Sequence, residues 1–393
     1  MAQSDLRSIS RSRWFLPLIA ASGFTMTLTA PLEVLFVHEF WHDGLSIGIF
    51  MLSAAVGVIV VDVFGTRFVP GLAARAALTV GLALFGVACI GMGLAQDDIV
   101  LMASRVLQGF GSGVALGAGL QAAVRIPPVS DDVARSLARY NGAFLLGAAV
   151  GSPGGLLVAG IVDGRAGYQI AFVATGVFAL LVAAALTGAL PSMAAPPDMS
   201  RPRISLPRFV KSPGSGAALV LAMSGDFLRG GVLFTALPLA GAAREYPVMI
   251  ITAAIALMSG VEIIVLFVAY RLIRRIGMVP MLIGSFALGM LCAILLAVSA
   301  GETTYLLVSA LFGVSLAGAT ASLPVLVVAQ VGDSASGLAK FRISAGVGIL
   351  VGSVGCAVLG TQIGIAELFA LIAVVLLGSA QLAHLVGRRM AAP

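Results

Sequence analysis

An arginine stands where the surrounding sequence calls for hydrocarbon. Arg105 lies within Leu101-Met-Ala-Ser-Arg-Val-Leu-Gln-Gly-Phe-Gly-Ser-Gly113, about six residues inside an otherwise apolar run. A guanidinium at membrane depth costs roughly 2.5–3.5 kcal/mol on insertion scales. A chain retains that cost where the group meets water, a carboxylate, or both, so Arg105 points to a solute or proton pathway. Glu33 lies about four residues from the corresponding end of the first apolar run. At ~1.5 Å per residue it sits at similar depth, and the two are expected to face one cavity. Attraction to an arginine and desolvation act on a carboxylate in opposite senses, so protonation of Glu33 would respond as the cavity switches sides. A static ion pair is the plainer alternative. Asp226 and Arg229, spaced i, i+3, share a helical face and are expected to pair near the middle of the seventh run, with Glu262 at comparable depth in the eighth. There Asp226 or Glu262 would hold a cation or proton and Arg229 would steer an anionic group. Thr25, Thr27 and Thr29 precede Pro31 in the first run. With Gln108 and Asn141 they would offer polar lining to a substrate cavity, although threonines in helices often bond back to their own turn.

A second constellation is a metal signature. His38-Glu39-Phe-Trp-His42 spells H-E-x-x-H, which on a helix presents two imidazoles to zinc with a glutamate as general base. An intramembrane zinc metalloprotease is therefore a remote alternative. Gly44 follows closely, the only other histidine is His384, and a third ligand would have to come from Asp43, Glu245 or Glu302. The expectation is no metal, no cofactor and no enzyme activity. The glycines at 109, 111 and 113 lie inside an apolar run, so they are not a dinucleotide loop.

The elements that position these groups follow from composition. The chain of 393 residues is 60% hydrophobic and 10% charged, against about 25% charged for soluble domains, and its mean hydropathy is +1.09. The solvent for most of this surface is lipid, which admits only helices or closed barrels. Uninterrupted apolar runs of about 20 residues match helices. The runs are Trp14–Val37, Leu45–Val61, Ala74–Ala95, Ile99–Ala122, Tyr140–Val162 and Tyr168–Leu190, then Gly216–Ala240, Tyr246–Tyr270, Met278–Ala300, Thr303–Ala329, Leu338–Gly360 and Ile365–Val386. This predicts an all-α integral membrane protein with twelve transmembrane helices. Residues 1–190 would form an N-terminal six-helix bundle, 191–215 a cytoplasmic linker rich in Pro, Ser and Arg, and 216–393 a C-terminal six-helix bundle. Of the 23 Lys and Arg, 19 fall at the tail and loops of one side, and Arg165 and Arg244 on the other. That asymmetry places both termini in the cytoplasm and the chain in the inner or plasma membrane, and it removes nucleic acid as the reason for a pI near 9.7. The first run is long enough to be a retained anchor rather than a cleaved signal. Cys89, Cys292 and Cys356 fall in separate runs and read as small packing residues. Leu107-Gln-Gly109 and Leu311-Phe-Gly313 occupy equivalent places in the fourth and tenth runs, with Ser309 where the first half has Arg105.

These features resemble the major facilitator superfamily across essentially the whole chain. Arg105-Val-Leu-Gln108-Gly109-Phe-Gly111 is similar to the family's R-x-x-Q-G-x-G motif, implicated in proton coupling. Asp62-Val-Phe-Gly65-Thr-Arg67 resembles the D-R-x-G-R-R gating motif, with Val63 and Thr66 in place of basic residues. Gly147-Ala-Ala-Val-Gly151-Ser-Pro153-Gly-Gly155 resembles the antiporter motif G-x-x-x-G-P-x-x-G-G, its proline displaced by one. The resemblance implies two pseudo-symmetric six-helix bundles working by alternating access. It implies export of a small amphipathic or drug-like solute in exchange for protons, as in drug:proton antiporters, by a monomer. Proton-coupled uptake or efflux of a sugar, peptide, lipid or siderophore is the alternative. Asp62, Gly65 and Arg67 would latch the cytoplasmic rim, while Gly147, Gly151, Pro153 and Gly155 would form a gating hinge.

Overall fold

The computed structural model describes residues 14–38, 40–41, 43–68, 74–125, 133–162, 164–190, 215–299, 301–331 and 335–391. Among them every regular element is helical. Twelve spans follow in order: Phe15–His38, Gly44–Phe68, Ala74–Leu94, Asp98–Arg125, Val133–Ala159, Arg165–Ala189, Ser215–Ala243, Val248–Ile276, Met278–Val298, Glu302–Val331, Ala335–Gln362 and Ile365–Ala391. Eleven are long and apolar enough to cross a bilayer, and the second contributes a shorter apolar stretch, Gly44–Val58. Several helices outrun their apolar runs. The fifth starts at Val133, the eighth ends at Ile276 and the twelfth at Ala391. Hydropathy marks only the hydrocarbon-facing part of a helix, whereas the backbone ladder continues into the polar interface.

Among the described residues two spans are interrupted as α-helix, each near a proline. Pro31 has no N–H to donate and its ring crowds the preceding turn. The first span is accordingly divided at Thr29 into Phe15–Leu28 and Ala30–His38, and the Leu32 N–H closes a tighter turn onto the Thr29 carbonyl at 2.9 Å. In the seventh span a π-helical segment, Leu228–Ala236, separates Ser215–Phe227 from Leu237–Ala243. Pro238 opens the last piece, and the Leu237 N–H reaches back five residues to the Val232 carbonyl. Segments of this kind are rare and often mark functional positions.

The chain forms two compact units. One comprises Met1–Leu32 and Leu52–Ile204, the other Glu33–Met51 and Ser205–Pro393. Within the second unit, Gly44 at the start of the second span lies against Thr361 and Val358 of the eleventh. Asp43 caps that start: the Ser46 N–H donates to its carboxylate at 2.7 Å, which holds the Asp43 carboxyl below its ordinary value of 3.8.

The arginines that break the charge asymmetry have local partners. Arg165 donates to the Ala95 carbonyl at 3.1 Å, past the end of the third span. Arg244 donates to the Leu296 carbonyl at 2.6 Å, in the last turn of the ninth. Arg75 does the same for Leu190 after the sixth, at 2.9 Å. Cations at helix C-termini meet both unpaired carbonyls and the negative end of the dipole.

Glycines let several helix pairs approach closely, and the two halves repeat them. Gly147, Gly151 and Gly155 of the fifth span lie on the backbone of Ala20, Phe24 and Leu28 in the first. In the second half, Gly348 and Gly352 of the eleventh span lie on Met223 and Phe227 of the seventh. Gly109 meets Ala54, and 204 residues later in both partners Gly313 meets Met258. A Cβ at Gly147 or Gly348 would overlap a carbonyl that cannot rotate away, whereas Gly142 has nothing within 4 Å. Overpacking of this type costs about 1–3 kcal/mol. Gly147→Val and Gly348→Val are therefore expected to lower the unfolding temperature of the purified protein by several degrees, with Gly142→Ala near the parent. Thermal unfolding in detergent gives the comparison, and equal midpoints for all three would remove the packing argument.

Candidate functional site

Among the described residues each unit holds a polar cluster. In the first, Arg105 is 6% exposed, Gln108 3% and Thr29 0%. Arg105 donates through Nη1 to Gln108 Oε1, one turn on in the same helix. The amide nitrogen of Gln108 then donates to Thr29 Oγ1 at 3.2 Å and lies 3.6 Å from Cys89 Sγ. One side-chain amide thus ties the fourth span to the first and third, its oxygen used by the guanidinium and its hydrogens by neighbours. The approach of Gly109 to the Ala54 backbone lets so large a residue be enclosed at this level.

The break at Thr29 sorts the threonines. Thr25 donates to the Ala21 carbonyl at 2.7 Å. Thr27 bonds back to Gly23 at 2.9 Å and across to the Ala148 carbonyl of the fifth span at 2.9 Å. Thr29, at the break, turns its hydroxyl to a polar side chain instead. Glu33 is buried at 7% exposure in the second piece of the first span. Asn141 is exposed.

The second cluster centres on Arg229, the second residue of the π-helical segment. Its Nη2 lies 2.5 Å from Glu262 Oε1 and its Nη1 3.4 Å from Oε2, a two-pronged pair with Arg229 15% and Glu262 4% exposed. Thr320 of the tenth span donates to Glu262 Oε1 at 3.2 Å. The expected Asp226–Arg229 pair gives way to this one. The reason is geometric and energetic: a carboxylate as enclosed as Glu262 would otherwise be a buried unpaired charge, and the planar guanidinium fork matches it with both nitrogens. Asp226 is half-buried and feels Arg229 and Glu262 through space. The π-helical turn is pinned beside it, since Thr235 Oγ1 at 2.9 Å and Ser353 Oγ at 3.1 Å both donate to the Gly230 carbonyl.

Sequence reasoning did not find Cys89 or Thr320 as members of these clusters. Neither carries a signal of its own, because contact between spans depends on which helix face turns inward. The gating candidates divide. Gly147, Gly151 and Gly155 form one packed face, with Pro153 inside the same helix. Asp62, Gly65 and Arg67 lie on a stretch that is helical through Phe68, but their side chains fall outside the described residues. Glu39 and His42 of the H-E-x-x-H run are also outside them. His38 Nδ1 lies 3.2 Å from the Trp41 carbonyl, a contact that requires Nδ1 to carry the proton. Among the described residues no three His, Cys, Asp or Glu are grouped to hold a metal.

Comparison with known proteins matches this architecture. The model of the Major Facilitator Superfamily matches residues 15–341. A curated relative, an uncharacterized MFS-type transporter of Mycobacterium tuberculosis, is 32% identical over 168 residues, 42% of this chain. The match spans about a quarter of that relative's length, 27%. Among solved structures, the nucleoside transporter NupG superposes with a TM-score of 0.71 at 14% identity, covering 97% of this chain and 99% of that one. A bacterial homolog of the human lysosomal transporter Spinster, inward-facing and unoccupied, gives 0.71 at 12% identity over 97% of each chain. Twelve helical spans, their internal repeat and the match over most of the sequence agree: the chain belongs to the major facilitator superfamily, a family of multi-pass membrane transporters.

Proposed function

We propose that this chain is a proton-driven exporter of a small amphipathic or drug-like solute, working by alternating access as a monomer in the inner or plasma membrane. Both termini would lie in the cytoplasm, as the placement of its cations favours. Residues 1–190 and 216–393 would act as the two rocking bundles and 191–215 as their linker. The observation that carries the reading is the burial of Arg105 at 6% exposure with Gln108 and Thr29 around it, because charge at this depth is costly unless it serves a pathway. Glu33 and Asp226 would take up and release protons. Arg105 would set the field at the first cluster, and Glu262 at the second by holding Arg229. Thr25, Thr29, Gln108, Arg229 and Asn141 would meet the solute. Asp62, Gly65 and Arg67 would latch the cytoplasmic rim. The glycine face of the fifth span, with Pro153, would serve as the hinge; its resemblance to the antiporter motif favours export over uptake.

Purified protein in liposomes, with an imposed pH gradient and an internal pH dye, tests the reading against a panel of antibiotics, dyes and sugars. Solute-dependent proton movement is expected for an amphipathic member of the panel, reduced at least tenfold in Arg105→Ala and in Glu33→Gln. Proton movement unchanged in both variants would remove the coupling role. The ion pair makes a separate stability prediction. Arg229→Met or Glu262→Met alone leaves a buried charge and is expected to destabilise by about 3–5 kcal/mol, while the double variant recovers most of the loss. Additive losses in a double-mutant cycle of unfolding midpoints would show that the two groups do not neutralise each other.

A further inference from the structure

One end of the second unit gathers positive charge that no described residue neutralises. The eighth span closes with Arg271, Arg274 and Arg275, and after Gly277 alone the ninth begins at Met278. The positive φ of Gly277, 88°, belongs to glycine and makes that reversal. The twelfth span brings Arg388 and Arg389 to the same end, because Gly387 lies against Val279 in the first turn of the ninth. A carbon added to Gly387 would stand 2.5 Å from Val279 Cγ1. All five arginines are exposed, and none of their guanidinium groups is hydrogen-bonded or ion-paired with a described residue. The carboxylates of this unit lie elsewhere. Among the described residues, Glu33, Asp226 and Glu262 are inside spans, while Asp43, Glu245, Glu302 and Glu367 stand where the second, eighth, tenth and twelfth spans begin, at the opposite end.

The first half treats the corresponding place differently. Arg75, 204 residues before Val279, donates to the Leu190 carbonyl at the end of the sixth span. In the second half the cations belong to the helix ends themselves and face outward. A helix dipole favours a cation in the last turn, but it leaves five like charges close together, and Arg271 and Arg275, one turn apart on one face, repel. The faces that carry them continue as hydrocarbon. On the eighth span Ile264, Phe267 and Val268 precede Arg271 and Arg275 at helical spacing, all three exposed and Phe267 78% so. On the twelfth, exposed Val374, Leu377 and Leu385 lead to Arg388 in the same way. On the ninth, Gly284 is exposed, and a side-chain carbon there would meet nothing within 4 Å. The surface is therefore apolar for several turns and then cationic, the complement of a molecule that is apolar and then anionic.

We infer that this end of the second unit binds the headgroup of an anionic glycerophospholipid, with its acyl chains along the exposed faces of the eighth, ninth and twelfth spans. A guanidinium fork matches two phosphate oxygens at once, and basic clusters at the end of membrane-spanning helices draw anionic lipid. A nucleic acid or an acidic peptide would use the charge but not the adjoining hydrocarbon. The arginines would hold the lipid whatever solute the chain carries, so the inference stands apart from the exchange reading.

Native mass spectrometry of the full-length protein in a neutral detergent tests it. The probes are dioleoyl phosphatidylglycerol and dioleoyl phosphatidylcholine, which share their chains and differ in headgroup charge. The parent protein is expected to bind phosphatidylglycerol at least tenfold more tightly. Arg274→Gln with Arg275→Gln is expected to weaken that binding at least fivefold, and Arg388→Gln with Arg389→Gln likewise. Arg11→Gln with Arg13→Gln removes the same charge from the N-terminal tail and is expected to leave the affinity within about twofold. Equal affinity for the two lipids in the parent protein, a measurement that needs no variant to fold, would overturn the inference. Equal losses in all three double variants would overturn it too, since they would reduce the surface to the general cation bias of this side. Glycerol 3-phosphate, which carries the phosphate without the chains, is expected not to displace the lipid at tenfold molar excess. Displacement would make a free phosphate ester the occupant and contradict a lipid site.

Discussion

Charge inside a hydrocarbon-facing chain is the constraint from which the rest of this structure follows. Lipid offers no hydrogen bonds, so the backbone closes on itself in twelve helices, and ionisable side chains must find protein or water. Arg105 is met by Gln108 and, through it, by Thr29 and Cys89. Arg229 is met by Glu262 and Thr320. Even Arg165 and Arg244, on the cation-poor side, are tied to exposed helix-end carbonyls. Apart from Arg105–Gln108, which lies within the fourth span, these contacts run from one helix or its end to another, so neutralising charge and packing helices are one task.

The two halves share a scaffold and differ in chemistry. Gly109 on Ala54 and Gly313 on Met258 repeat the same close approach at the same spacing. Where the first half places Arg105, the second has Ser309, fully buried and bonded back to the Tyr305 carbonyl at 2.7 Å. The second half carries its guanidinium on the seventh span instead, in a π-helical turn that has no counterpart among the described residues of the first. The first half has a proline break there, and the residue at the break, Thr29, reaches the polar cluster. Both halves therefore interrupt the first helix of the repeat beside the arginine of their polar cluster, by different local means.

Much of the fold was legible in the sequence because hydropathy and charge asymmetry are properties of runs. The twelve spans, the repeat and the isolation of Arg105 needed no knowledge of contacts. What the sequence did not disclose was partner choice. The i, i+3 spacing of Asp226 and Arg229 suggested a pair within one helix, but the longer reach of arginine and the deeper burial of Glu262 moved the contact to the next span. Cys89 was indistinguishable from a packing residue until a neighbouring amide was placed beside it. Thr25 and Thr29 differ by one turn in sequence, yet the Pro31 break gives only the latter a hydroxyl turned toward Gln108. Helix faces are fixed by neighbours, and a single sequence carries little of that information.

For a transport pathway, both polar clusters must meet water as well as protein. Thiol labelling tests it directly. With Cys89, Cys292 and Cys356 replaced, Thr29→Cys and Thr320→Cys would be exposed in membrane vesicles of either orientation to a membrane-impermeant methanethiosulfonate. A cysteine at Ile264, 67% exposed on a membrane-spanning helix, serves as the reference for a lipid-facing position. The account predicts modification of Thr29→Cys and Thr320→Cys, with the reactive side changing when a pH gradient is imposed, and none at the reference. Both cluster positions staying unlabelled from either side, with or without the gradient, would contradict it.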